Sequence, residues 1–197
     1  IGTAGVLGVS AGGPWAFAFA ATHPSRVRSV GLICASGPYD DERFMSAEDI
    51  DEHRELRASG AEAMLPDYEG ARARILADPA TALAGWFEDF PEEERRWVSG
   101  EPASSILIAE VREALRQGAR GWLRETEVRA MPWSFDVATI PAPVHALHGT
   151  DDAWELITNI ERMVAAVPDG HVTRLPGGNH LAPVMRAEEV VAAIVAR

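Results

Sequence analysis

The chain has 197 residues, 47% of them hydrophobic and 24% charged, a balance that describes a soluble globular protein with a sizeable core and excludes a disordered segment. A net charge of −12 repels nucleic-acid phosphates and anionic membrane surfaces, so neither is an expected partner and a small uncharged molecule fits better. All 18 basic residues are arginine, and the absence of lysine excludes a Walker A loop, a pyridoxal Schiff base and a Ser-Lys hydrolase within this sequence.

In chain order, Gly5 to Val9 is a short apolar run of small and β-branched residues that reads as a strand. Ser10 follows between glycines, and "GPWAFAFAATHP" then reads as a small-residue helix starting at about Ala11 and ended by Pro24. A Gly-x-Ser-x-Gly string arises by chance in about one chain in ten of this length, at roughly 7% usage per residue, so its context decides. A serine where a strand turns sharply into a helix needs small neighbours two before and two after it, here Gly8 and Gly12, and its hydroxyl stands exposed above the sheet edge. The helix start points backbone N–H groups at the place where negative charge would develop. No G-x-G-x-x-G marks the turn as a phosphate loop. Ser10 is therefore the candidate nucleophile.

Residues 27 to 38, "VRSVGLICASGP", read as a second buried strand, parallel to the first. They hold the single cysteine, Cys34, which rules out an internal disulfide and a multi-cysteine metal site. From Tyr39 strand signals vanish. The stretch 39–135 holds 22 of the 30 acids and reads as helices near 47–59, 67–77, 80–98 and 102–130, with Pro66, Pro79, Pro91 and Pro102 at or near their first turns. Strand-helix alternation returns after Ile140: a strand at 144–148, a helix in "ITNIERMVAAVP", a strand in "HVTRLPG" and a closing helix over 182–197. The expected organisation is thus an α/β core at 1–38 and 136–197 with a helical insertion at 39–135.

A serine nucleophile needs an imidazole base whose second nitrogen is held by a carboxylate. His180, in "PGGNHLAP", lies just past the last strand, at the carboxyl edge of the sheet that also carries Ser10. His145 and His148 are three apart on a strand and face opposite sides, which argues against a shared metal; His148 reads as a packed strand-end residue bordering the site. Asp151 and Asp152, in "HGTDD", both follow the third strand at its carboxyl end, and either is in reach of His180.

The order Ser10, Asp152, His180, with G-V-S-A-G-G at the first, H-G-x-x-D at the second and G-x-H at the third, resembles the α/β-hydrolase family over residues 5–38 and about 132–197. The resemblance implies a parallel-sheet hydrolase core with a helical cap inserted between two strands. It selects Asp152 over Asp151 and assigns the Ala11 N–H as one oxyanion-hole donor. It also implies that Gly5 to Val9 is the fifth of eight strands, with four strands and two helices, roughly 75 residues at typical lengths, before it and the second oxyanion donor among them. The implied activity is hydrolysis of an ester, lactone or other small acyl substrate with no cofactor and no metal. An acyltransferase or a non-catalytic small-ligand receptor of the same fold is the alternative. Trp133 and Trp154 are candidates for the pocket wall, and Trp86, Phe87, Phe90, Trp97, Trp122 and Phe135 for pocket or helical core. No run of 18 apolar residues and no signal-peptide pattern over residues 1 to 13 is legible, and the cytoplasm is the expected compartment.

Overall fold

A computed structural model describes residues 2–195. The chain divides into two compact units, one of residues 1–47 and 132–197 and the other of residues 48–131.

The first unit is built on four parallel strands, β1 (Ala4–Val9), β2 (Val27–Ile33), β3 (Val144–Gly149) and β4 (Gly170–Leu175), in the spatial order β1-β2-β3-β4. Register runs without a break from Val30↔Val144 to Ile33↔Leu147 and from Val144↔Gly170 to Gly149↔Leu175. All four carboxyl ends therefore emerge on one edge. β2 and β3 are buried along most of their length, as expected of strands covered on both faces, whereas β1 and β4 alternate.

One face carries α1 (Gly13–Thr22) and α8 (Ile157–Ala166), which bury Phe17 and Ile160 against Val30, Leu32, Val144 and Ala146. The period of two turns the other set of strand residues, Ile33 and Leu147, onto the opposite face, where they meet Val190. That residue belongs to α10 (Ala187–Val195), which comes so close to the sheet that a Cβ on Gly31 would lie 2.6 Å from Val190. The expected closing helix is two pieces, since α9 (Ala182–Met185) ends at Arg186, and residues 196–197 lie outside the described residues.

The second unit is helical: α2 (Ala47–Ser59), α3 (Ala61–Ala77), α4 (Pro79–Trp86), α5 (Glu92–Ser99), α6 (Ala103–Ala114) and α7 (Arg120–Arg129). The expected helices 80–98 and 102–130 are each broken. Pro91 lacks the N–H to continue a helix and caps α5, and Gly118, at φ +104°, lets the chain leave α6 through a left-handed conformation. Pro66, expected in a first turn, lies inside α3, because that helix starts six residues earlier than periodicity indicated. Met64, Tyr68, Ala119 and Leu123 form its core. Phe87 and Phe90 are buried as an edge-to-face pair, while Trp86 and Trp122 line an open cavity of about 520 Å³ with Ile75. Among the described residues no helix is long and apolar enough to cross a membrane.

Candidate active site

Ser10 follows the last residue of β1 and sits at φ 51°, in the left-handed region that a side chain rarely adopts. Such a conformation costs of order 1–3 kcal/mol and persists where the surroundings fix it. Here the surroundings are visible. A Cβ on Gly8 would meet the Gly12 carbonyl oxygen at 2.7 Å, and the Ser10 carbonyl accepts the Ser36 N–H at 3.0 Å.

The second tight position is Gly13, not Gly12 as spacing indicated. A Cβ on Gly13 would lie 2.6 Å from the Ala35 Cβ, whereas one on Gly12 meets nothing within 4 Å. The α-helix also starts later than expected: Ser10–Gly12, including Ala11, form a 3-10 turn, and α1 begins at Gly13 with Pro14 in its first turn. The turn brings the chain back across its own strand, and the glycine that counts is the one touching the loop after β2.

The loop after β4 supplies His180, which is 5% exposed. Its Nε2 lies 3.0 Å from Ser10 Oγ and its Nδ1 2.8 Å from Asp152 Oδ2. The three groups are thus one hydrogen-bonded row. Asp151 is exposed and accepts a bond from the Thr150 hydroxyl, so only Asp152 enters the row.

Asp152 accepts three hydrogen bonds and has a fourth N–H close by. Trp154 N–H and Glu155 N–H each reach Oδ1 at 3.0 Å, while Oδ2 faces His180 and, at 3.3 Å, His148 Nε2. Burial alone would raise its pKa, but the bonds from His148 and His180 outweigh it and bring the carboxyl down to about 2. Burial likewise disfavours a charged His180, yet its interactions with the Asp152 carboxylate and with Cys34 raise its proton affinity above that of an ordinary imidazole.

His148 is fully buried, and its Nε2 also lies 2.8 Å from the Glu155 carbonyl. A carbonyl only accepts, so Nε2 carries the proton, and Nδ1 has no hydrogen-bond partner among the described residues. The expectation of a packed residue bordering the site described its position but missed that its one Nε2–H, donated to the Glu155 carbonyl, also lies 3.3 Å from the acid.

Asn179 escaped the sequence reading, and Gly149 entered it only as a letter of a motif. Asn179 Oδ1 accepts both the His180 N–H, at 2.8 Å, and the Ala153 N–H, at 3.2 Å, which ties the histidine loop to the acid turn. Gly149 has no room for a side chain, since a Cβ would fall 2.2 Å from the Gly178 carbonyl oxygen. The H-G pair and the G-G-N-H loop are thus two halves of one contact, which their separate motifs do not show.

Of the aromatic candidates, Trp154 places its ring 5.1 Å from that of His180. Trp133 instead stacks on Phe135 at 4.8 Å and packs against the core beside Phe17. A carboxylate, an imidazole and a hydroxyl in this order can move a proton from the hydroxyl to the ring as the oxygen attacks an electrophile.

Comparison with solved structures finds the same fold widely. The chain is 17% identical to an enol-lactonase from Burkholderia xenovorans LB400, covering 100% of this chain and 67% of that one at a TM-score of 0.59. It is 18% identical to a thermophilic esterase from Thermogutta terrifontis, covering 99% and 64% at 0.58. A bromoperoxidase from Bacillus anthracis is 20% identical, covering 98% and 66% at 0.60. The chain spans about two thirds of the length of each of these structures. No curated protein sequence matches it. Residues 1–193 match the profile of one family, and with the parallel sheet and its carboxyl-edge site already described, the chain belongs to the alpha/beta hydrolase family.

Proposed function

We propose that the protein is a serine hydrolase that cleaves an ester, lactone or other small acyl substrate through an acyl-enzyme. The observation that carries this reading is the row Ser10 Oγ, His180 Nε2 and Nδ1, Asp152 Oδ2, with spacings of 3.0 and 2.8 Å. Ser10 Oγ attacks the carbonyl carbon, the carbonyl electrons move onto oxygen, and His180 Nε2 takes the hydroxyl proton. The Ala11 N–H, next in the 3-10 turn, is one donor to that oxyanion. Collapse expels the alkoxide, which leaves with the proton from His180. Water, deprotonated by the same ring, then releases the acid and restores Ser10. Asp152 keeps the Nδ1 proton in place throughout and stabilises the imidazolium.

Relatives of the same fold named an esterase and an enol-lactonase support acyl chemistry as the reaction class. Trp154, against the His180 ring, supports a substrate with an apolar portion. The test is reaction with a serine-directed fluorophosphonate and turnover of short p-nitrophenyl esters. Labelling is expected at Ser10 alone, and Ser10→Ala should lower turnover by at least about a thousandfold. An unlabelled protein, or a Ser10→Ala variant above a tenth of the parent rate, overturns the reading. Added alcohol acceptors distinguish water from another acyl acceptor by the product formed.

A further inference from the structure

Glu155 is a buried carboxyl, 7% exposed, three residues beyond Asp152, and the reaction drawn above makes no use of its side chain. Oε1 accepts the Ser36 hydroxyl at 2.5 Å and the Tyr39 hydroxyl at 2.8 Å, both from the loop that follows β2. Its main chain faces the other way. The N–H donates to Asp152 Oδ1 at 3.0 Å and the carbonyl accepts His148 Nε2–H at 2.8 Å.

Ser36 in turn donates its N–H to the Ser10 carbonyl at 3.0 Å. Asp152 and Ser10 are therefore joined twice, once through the His180 ring and once through Glu155 and Ser36. The second route is held to α8 as well. A Cβ on Gly37 would lie 2.4 Å from the Asn159 side chain, and Arg162 donates to the Pro38 carbonyl at 3.1 Å and to Asp40 at 2.5 Å. A buried carboxyl is costly unless hydrogen-bonded, so the Ser36 and Tyr39 hydroxyls help hold it in place.

The geometry points to Glu155 as a positioning residue that sets the spacing between the nucleophile turn and the acid turn, and with it the Ser10–His180 hydrogen bond; as a statement about rate it rests on the hydrolase reading above. The Glu155 side chain reaches the nucleophile turn through Ser36, and the backbone N–H of the same residue holds Asp152, so fixing the side chain fixes the distance between the two turns.

The experiment compares Glu155→Ala, Glu155→Gln, Ser36→Ala and the Ser36→Ala/Glu155→Ala pair in the full protein. It reads kcat and KM on p-nitrophenyl acetate, the rate of fluorophosphonate labelling, and the proton NMR resonance of His180 Nδ1–H. Misplacement of this size costs on the order of 10- to 100-fold in rate, so Glu155→Ala is expected to lose that much kcat and labelling rate, with KM changed by less than about threefold. Its Nδ1–H resonance should shift or broaden. Glu155→Gln, whose amide oxygen accepts both hydroxyls, should restore most of the rate. Ser36→Ala should fall with Glu155→Ala, and the pair should be no slower than the worse single variant, because both cut one path.

Parent rates and an unmoved resonance in Glu155→Ala, with only a lower melting temperature, overturn the proposal. So does a Glu155→Gln variant as slow as Glu155→Ala. If Glu155→Ala does not fold, Ser36→Ala and Glu155→Gln decide by the same readouts. A parent that neither labels nor turns over ester removes the hydrolase reading, and the resonance still tests positioning without turnover.

Discussion

The exposed helix surfaces of the helical unit and the carboxyl edge of the sheet unit handle polar groups in opposite ways. In the helical unit, ion pairs such as Arg96–Glu92 and Arg124–Glu127 are spaced three or four residues apart on single helices and stand largely in water. Each such pair contributes little, because solvent screens it and two long side chains must be ordered to make it. In the sheet unit, Asp152, Glu155, Asn179 and His180 are buried in the two loops that follow β3 and β4, and each meets groups far away in sequence. Burial there is tolerated because the donors have been assembled. Buried polar groups gather at the carboxyl edge of the sheet, where strand register brings remote loops together and where the proposed reaction takes place.

The largest effect expected from breaking the contrast is at the paired acids. Asp152→Asn should lower kcat by on the order of 10⁴-fold, since the amide favours the wrong imidazole tautomer. Asp151→Asn should cost less than about tenfold, because that side chain is exposed and bonded only to its neighbour Thr150 among the contacts seen. Steady-state rates on one ester decide, and the reverse ranking would move the role to Asp151.

A smaller effect separates the two glycines after Ser10. Gly13→Ala forces its Cβ into Ala35 and should destabilise the fold by about 1–3 kcal/mol, while Gly12→Ala enters open space. Urea melts of the two variants test this, and equal midpoints would show that the turn adjusts freely.

The buried acid also sets a pH limit. A carboxyl held at about 2 in the folded chain, against 3.8 as its ordinary value, contributes stability that is present above the unfolded value and lost as pH falls through the folded one. Between about pH 4 and pH 2 the loss should be roughly 2 kcal/mol. Urea titrations at stepped pH should show that loss in the parent and not in Asp152→Asn. The raised His180 acts oppositely: its contribution is complete below the unfolded value near 6.5 and fades as pH climbs through the higher folded value. The rate should rise with pH over the same range, because only the neutral ring accepts a proton.

The smallest effect belongs to the helical unit. Arg96→Ala removes an exposed pair on α5 and should change stability by about half a kcal/mol or less, with the rate unmoved. A larger change would mean that this surface charge is coupled to the fold after all.

Much of this protein is local in sequence, and that part is legible there. β1 with α1, and β3 with α8, show as short β-branched runs followed by helical periods, since each pattern is a property of the segment itself. Ser10, Asp152 and His180 stand out because all three follow strands in a parallel sheet, whose carboxyl ends share an edge. The helical unit was less legible. Its helices have breaks at Pro91 and Gly118 that amphipathic spacing bridges, and nothing in a helical period shows where a run of good helix formers stops.

The succession of elements, and the placing of a hydroxyl, carboxyls and an imidazole at strand ends, are therefore written in the sequence. Contact across the fold alone chooses which of two adjacent glycines is pressed against Ala35 and joins Glu155 through Ser36 to the nucleophile turn, and it gives the physical ground for Asp152 over Asp151, which the family resemblance had selected. Neighbouring residues in a turn share one sequence environment but point in different directions. Their partners lie on chain segments more than 20 residues away, so the choice between them is made by contact and not by pattern.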